Sequence, residues 1–154
     1  METYVRMDGE TAADAREGEH AMSNEDVERL RRGYAHFIET GDFREEFFHP
    51  DFVWDMSTFR GWPERQTYPG LEGAREFMDD WRGAWEDWEL EVEEFLAGSD
   101  AVVVLVHQRG RSRATGLPTD MDFAMLWTFR NGKQHRMRMY ASRAEALEAA
   151  GLRD

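Results

Sequence analysis

Cysteine is missing from the 154-residue chain, and lysine nearly so, since Lys133 is the single lysine among basic residues that are otherwise arginine. Without a thiol there is no cysteine nucleophile, no disulfide, no thiolate metal site and no iron–sulfur cluster. Long apolar runs are missing too. The longest covers residues 101–106, against the about 20 residues that a membrane-spanning helix needs. The first residues lack the basic-then-apolar pattern of a secretory leader, so the expected location is the cytoplasm, without a membrane partner. Positive charge is also short: 19 Lys+Arg face 32 Asp+Glu for a net charge of −13, which argues against nucleic acid as a partner. No glycine-rich phosphate loop, nucleophile elbow or Walker string occurs, and the histidines lack the spacing of a metal site. The expectation is therefore chemistry or binding with no metal and no cofactor.

What is present suits one globular domain: 41% hydrophobic, 13% aromatic and 33% charged residues. Residues 1–22 are acidic and poor in bulky apolar groups and read as a disordered extension, leaving 23–154 as the domain. Ser23 offers an N-cap, Glu25 and Asp26 suit a first turn, and Val27, Leu30, Tyr34, Phe37 and Ile38 recur at helical spacing until Gly41. A short helix over 43–48 ends at Pro50, and 51–57 reads as a strand. A third helix over 72–87 carries Ala74, Phe77, Met78, Trp81 and Trp85 on one stripe. Strands follow over 88–97, 101–113, 119–130 and 133–142, the last two joined by Asn131-Gly132, a strong hairpin signal. A closing helix spans 143–150. Met121, Phe123, Met125, Trp127 and Phe129 alternate with polar neighbours and name the buried face of a four-stranded antiparallel meander. Residues 86–100 hold seven acids and no base, whereas 101–143 hold eight basic residues against Asp120 and Asp122. Arg109, Arg111, Arg136 and Arg138 are expected to pair across strands with Glu91 and Glu93 on the outer face, an anion site being the alternative.

The order of elements and four local strings, GYAHFIETGDF at 33–43, HPDFVWD at 49–55, YPGLEGAREFMDDW at 68–81 and FAMLWTFRNGKQHRMRMY at 123–140, resemble the SnoaL-like polyketide cyclase and ketosteroid isomerase-like branch of the nuclear-transport-factor-2-like superfamily. The resemblance implies an α+β cone in which N-terminal helices pack on a strongly curved antiparallel sheet around a hydrophobic pocket. It also implies a homodimer formed through the outer sheet face. Ketosteroid isomerase uses an Asp base and an oxyanion hole made of a Tyr and a protonated Asp. The resemblance places that Tyr on Tyr34 and the base on Asp55, while the hole-forming Asp falls on Met125 and a supporting Tyr on Trp81. A steroid isomerase in the strict sense is therefore not expected.

Asp55, projected from a strand into an apolar cavity, would have its pKa raised by desolvation and could remove a proton next to a carbonyl. Alternatively it satisfies loop amides where the strand ends. Tyr34 would stabilise the enolate. His135 shares the inward parity of Met137 and Met139 and could move a proton, and Gln108 is inward with Val102, Val104 and Val106. Trp54, Phe77, Trp81, Trp85, Phe123, Met125, Trp127, Met137 and Met139 complete the expected binding wall, the methionines favouring broad specificity for a small apolar molecule. Two functions remain: a cofactor-free isomerase or cyclase acting on an apolar carbonyl compound, or a non-catalytic small-molecule-binding or dimerisation module on the same fold. Epoxide hydrolysis, a third possibility, needs more polar groups around a water than Asp55 and His135 supply.

Overall fold

The structure, a computed structural model, describes residues 4–7 and 24–152. The elements in chain order are β1 (Tyr4–Met7), α1 (Asn24–Thr40), a 3-10 turn (Glu45–Phe47), β2 (Phe48–Asp55), β3 (Thr67–Pro69), α2 (Gly70–Gly83), β4 (Trp85–Ala97), β5 (Val102–Ser112), β6 (Pro118–Arg130), β7 (Lys133–Tyr140) and α3 (Arg143–Ala149). Of the extension read as disordered, residues 4–7 form a strand; the rest, with the expected Ser23 cap, lies outside the described residues. No described helix is long and apolar enough to cross a membrane.

The seven strands form one sheet in the order β1-β4-β5-β6-β7-β2-β3. The meander β4–β7 is antiparallel, as alternation predicts. The edges make the sheet mixed, because β2 joins β7 and β1 joins β4 in parallel. Those pairings connect segments far apart in sequence, which local periodicity cannot reveal. The predicted helix over 43–48 shrinks to the 3-10 turn, since Phe48 already pairs with Gln134 of β7. Trp85 leaves the expected helical stripe for the first position of β4.

Local chemistry explains the element ends. Gly41 adopts φ +79° and its N–H bonds the Phe37 carbonyl at 2.7 Å, the left-handed stop of a helix. Asn131 and Gly132 take φ +54° and +75°, the two positive values a type I′ hairpin requires. Irregular register between Glu86 and Glu89, between Val92 and Glu94, and between Thr128 and Phe129 bends the sheet.

Each face of the sheet buries something different. The inner face, with α1 and α2 above it, holds the main core, in which Phe77, Phe95 and Met137 are almost fully buried. On the outer face Val103, Leu105, Ala124, Leu126 and Tyr140 form a smaller core capped by Ala146 and Ala150 of α3. Ser142 caps that helix by accepting from the Glu145 N–H at 3.2 Å.

Candidate functional site

Between α1, α2 and the inner sheet lies a cavity offering about 70 Å³ to the centre of a water molecule. Seven of the residues expected to bind line it, together with Tyr34, expected as a catalytic group. Helix α1 contributes Tyr34, α2 contributes Phe77 and Trp81, and β2 contributes Trp54. Strand β6 presents Phe123, Met125 and Trp127 at alternate positions, and β7 adds Met139. Trp54 stacks on Phe77 with ring centres 4.7 Å apart, and Phe77 meets Trp81 at 5.5 Å, so the α2 side of the wall is a continuous aromatic surface.

Tyr34 is the hydroxyl in this wall. Trp127 Nε1 donates to its oxygen at 3.1 Å, and the hydroxyl in turn donates to Met125 Sδ at 3.1 Å. Burial pushes the phenol far above its ordinary pKa, with the Trp127 hydrogen bond pulling weakly the other way. Tyr34 is therefore a neutral donor at physiological pH, polarised by one indole and spent on a thioether, a weak acceptor.

Asp55 does not face the cavity. Successive strand residues point to opposite faces, and Trp54 takes the inward direction. Asp55 is only 4% exposed, its Oδ1 accepting the Ser57 N–H and its Oδ2 accepting from Arg136 Nη2, both at 2.8 Å. Burial pushes its pKa up, but the Ser57 hydrogen bonds and the Arg136 guanidinium outweigh that and hold it below the usual carboxylate range. The carboxylate closes the end of β2 and is ionised, the opposite of the raised pKa expected for a cavity base.

His135 is also displaced. The β6–β7 register passes from Thr128 opposite Arg136 to Phe129 opposite Gln134, leaving His135 as the extra residue of a bulge. Its ring packs edge-on against His49 with centres 5.0 Å apart, away from the cavity. Its pKa is lowered by partial desolvation and by Arg130 and His49. The inward place passes to Gln134, 2% exposed, which the unbroken alternation had assigned to the outer face.

Gln108, Met137 and Trp85 complete the expected set without lining the cavity. Gln108 is fully buried behind the wall, where its Oε1 accepts from Trp81 Nε1 at 3.0 Å and Trp88 Nε1 at 2.7 Å and so fixes two lining indoles. Met137 is buried in the core beneath, and Trp85 meets Trp81 edge-on at the start of β4. Sequence reasoning missed Gln134, Trp88 and Leu90 as lining residues, and treated Leu30 and Phe37 of α1 as core alone. The helical stripe could have found the last two; Gln134 had no signal, because a bulge leaves no local motif.

Among the described residues no Asp, Glu, His or Lys lines the cavity. Arg44 is its only charged lining group, with Nε held by Glu46 Oε2 at 2.8 Å. Ion pairs collect on the outer face, where Arg109 lies 3.7 Å from Glu89 and 3.5 Å from Asp120. Possible metal-ligand atoms of Glu93, His107 and Asp122 there lie within 4.8 Å of one another. The Arg143 guanidinium already occupies that negative corner, 2.7 Å from Glu93 and 3.5 Å from Asp122.

The family model for the SnoaL-like domain matches residues 20–137. Among solved structures, that of TerC co-crystallised with polyporic acid is 25% identical, covers 82% of this chain and 98% of its own, and has a TM-score of 0.61. A Jannaschia sp. CCS1 protein described as a SnoaL-like polyketide cyclase is 21% identical over 84% of this chain and 94% of its own, also at 0.61. A Catenulispora acidiphila DSM 44928 protein of ketosteroid isomerase-like fold, in complex with trimethylamine, is 14% identical over 90% and 91%, at 0.52. No curated protein matches this chain. The likenesses agree with the α+β nuclear-transport-factor-2-like architecture described above.

Proposed function

The chain belongs to the SnoaL-like domain family, and from that premise we propose that its cavity binds a compact, flat, apolar carbonyl compound whose oxygen accepts a hydrogen bond from Tyr34. The observation that carries this reading is the Tyr34 hydroxyl, fed by the Trp127 N–H and directed at the sulfur of Met125. A carbonyl oxygen is a far better acceptor than a thioether, so a ligand draws the proton toward itself at little cost. With about 10–15 Å³ of such space per water, the cavity has room for about five waters, which suits a small ring system. The stacked Trp54, Phe77 and Trp81 favour a planar occupant. TerC, the relative co-crystallised with polyporic acid, supports a ring compound as the type of ligand.

Of the two functions open from the sequence, the non-catalytic binding pocket is the better supported. Proton abstraction next to a carbonyl needs a base within hydrogen-bond reach of the ligand. Asp55 is tied to Ser57 and Arg136 outside the cavity, and among the described residues the wall carries no carboxylate or imidazole. Titration of 1-tetralone, a two-ring ketone, followed by tryptophan fluorescence tests the reading. Tyr34→Phe should weaken binding about 3- to 10-fold, the net value of one hydrogen bond. Unchanged binding by Tyr34→Phe contradicts the role given to the hydroxyl.

A further inference from the structure

The cavity wall contains two buried polar atoms that the protein leaves unmatched. Four tryptophans line it. The N–H of Trp127 is bonded to Tyr34, and those of Trp81 and Trp88 to Gln108, but Trp54 Nε1 has no partner. On the neighbouring strand β7, Gln134 is 98% buried, and its Oε1 also has no partner. That oxygen lies 3.7 Å from where a β-carbon on Gly33 would stand, so a helix position without a side chain keeps the space before it open. An unmatched buried amide oxygen is costly, and such a group in a binding site usually finds its partner in a ligand or an ordered water.

The two unmatched groups have opposite sense. A ligand acceptor is served by Tyr34 or Trp54, both donors. Gln134 Oε1 is the only amide or carboxylate oxygen among the described lining side chains, and, as an acceptor, it is met by a donor. We propose that Gln134 is the specificity-determining residue of this cavity and that it selects ligands carrying a hydroxyl or N–H in addition to the carbonyl. The proposal rests on the reading of the cavity as a ligand site. It assigns to a bulge in β7 the task of turning a polar side chain into an otherwise apolar pocket. Without the shift at His135, Gln134 would face outward and a histidine would stand in the wall. The selectivity is for a hydroxyl over its bulkier methyl ether, which has no proton to give Oε1.

Calorimetric titration of 1-tetralone, 6-hydroxy-1-tetralone and 6-methoxy-1-tetralone, each against the native chain and Gln134→Leu, tests this. The hydroxy ketone is expected to bind the native chain about tenfold more tightly than 1-tetralone, and the methoxy ketone no better than 1-tetralone. In Gln134→Leu the preference for the hydroxy ketone should be lost, the three binding within about twofold of one another. Because the amide has no internal partner to lose, the thermal midpoint of Gln134→Leu should equal or exceed that of the native chain. A drop of several degrees, or failure to fold, would show that Gln134 is bonded within the protein and would overturn the proposal. If 1-tetralone binds but the hydroxyl adds nothing, the proposal fails, with a water meeting Gln134, while the cavity reading stands. If none of the three binds, the cavity reading fails and the proposal falls with it.

Discussion

The two faces of the sheet are built from the same strands yet work by different physics. The inner face packs Phe, Trp and Met under α1 and α2 and holds a cavity whose only charged lining group among the described residues is Arg44. The outer face carries ion pairs: Arg136 with Asp55, Arg143 with Glu93, and Arg109 with Glu89 and Asp120. Between them they separate apolar packing from charge. A strand places successive residues on opposite faces, so Trp54 can enter the cavity only if Asp55 stays out. The charged residue most suggestive of catalysis was therefore assigned to the outer face by its own neighbour.

Four substitutions probe that division, in order of size. Phe77→Ala, at 1% exposure amid stacked tryptophans, should lower unfolding free energy by about 3–5 kcal/mol in chemical denaturation. Asp55→Asn weakens the hold on Arg136, which is 41% exposed and so partly screened, and should cost about 1–2 kcal/mol while leaving 1-tetralone binding within twofold. Gly33→Ala should stabilise by roughly 0.5–1 kcal/mol, because its β-carbon would meet Phe47 and Gln134 at ordinary contact distances of 3.6 and 3.7 Å inside a helix. Arg109→Ala, at a solvent-exposed pair, should change stability by no more than about 0.5 kcal/mol. If the Arg109 change exceeded that of Phe77, the division between faces would be wrong.

The pH dependence follows from Asp55. Its pKa is lowered on folding, so its contribution is present above the unfolded carboxylate value and is lost as pH falls through the folded one. Acid titration of the native chain should therefore show a stability loss below the usual carboxylate range that Asp55→Asn lacks.

The sequence carried much of this. Period-two alternation from Met121 to Phe129 named the inner face, Asn131-Gly132 fixed the last hairpin, and the α1 stripe placed Tyr34 inward. Three things escaped for physical reasons. The parallel contacts of β1 and β2 join distant segments and leave no local pattern. Asp55 was read by its chemistry, without regard to its strand parity, which is opposite to that of Trp54. Gln134 and His135 exchanged places at a bulge, where one extra residue inverts every inward and outward assignment up to the hairpin.

In the proposed binding mode the ligand carbonyl meets Tyr34 and not Asp55. The infrared carbonyl stretch of bound 1-tetralone reports this directly, since a hydrogen bond to the oxygen lowers its frequency. The stretch should lie below its value in an apolar solvent for the native chain and for Asp55→Asn, and move toward that value in Tyr34→Phe. A stretch lowered to the same extent in Tyr34→Phe, or one raised by Asp55→Asn alone, would contradict this binding mode.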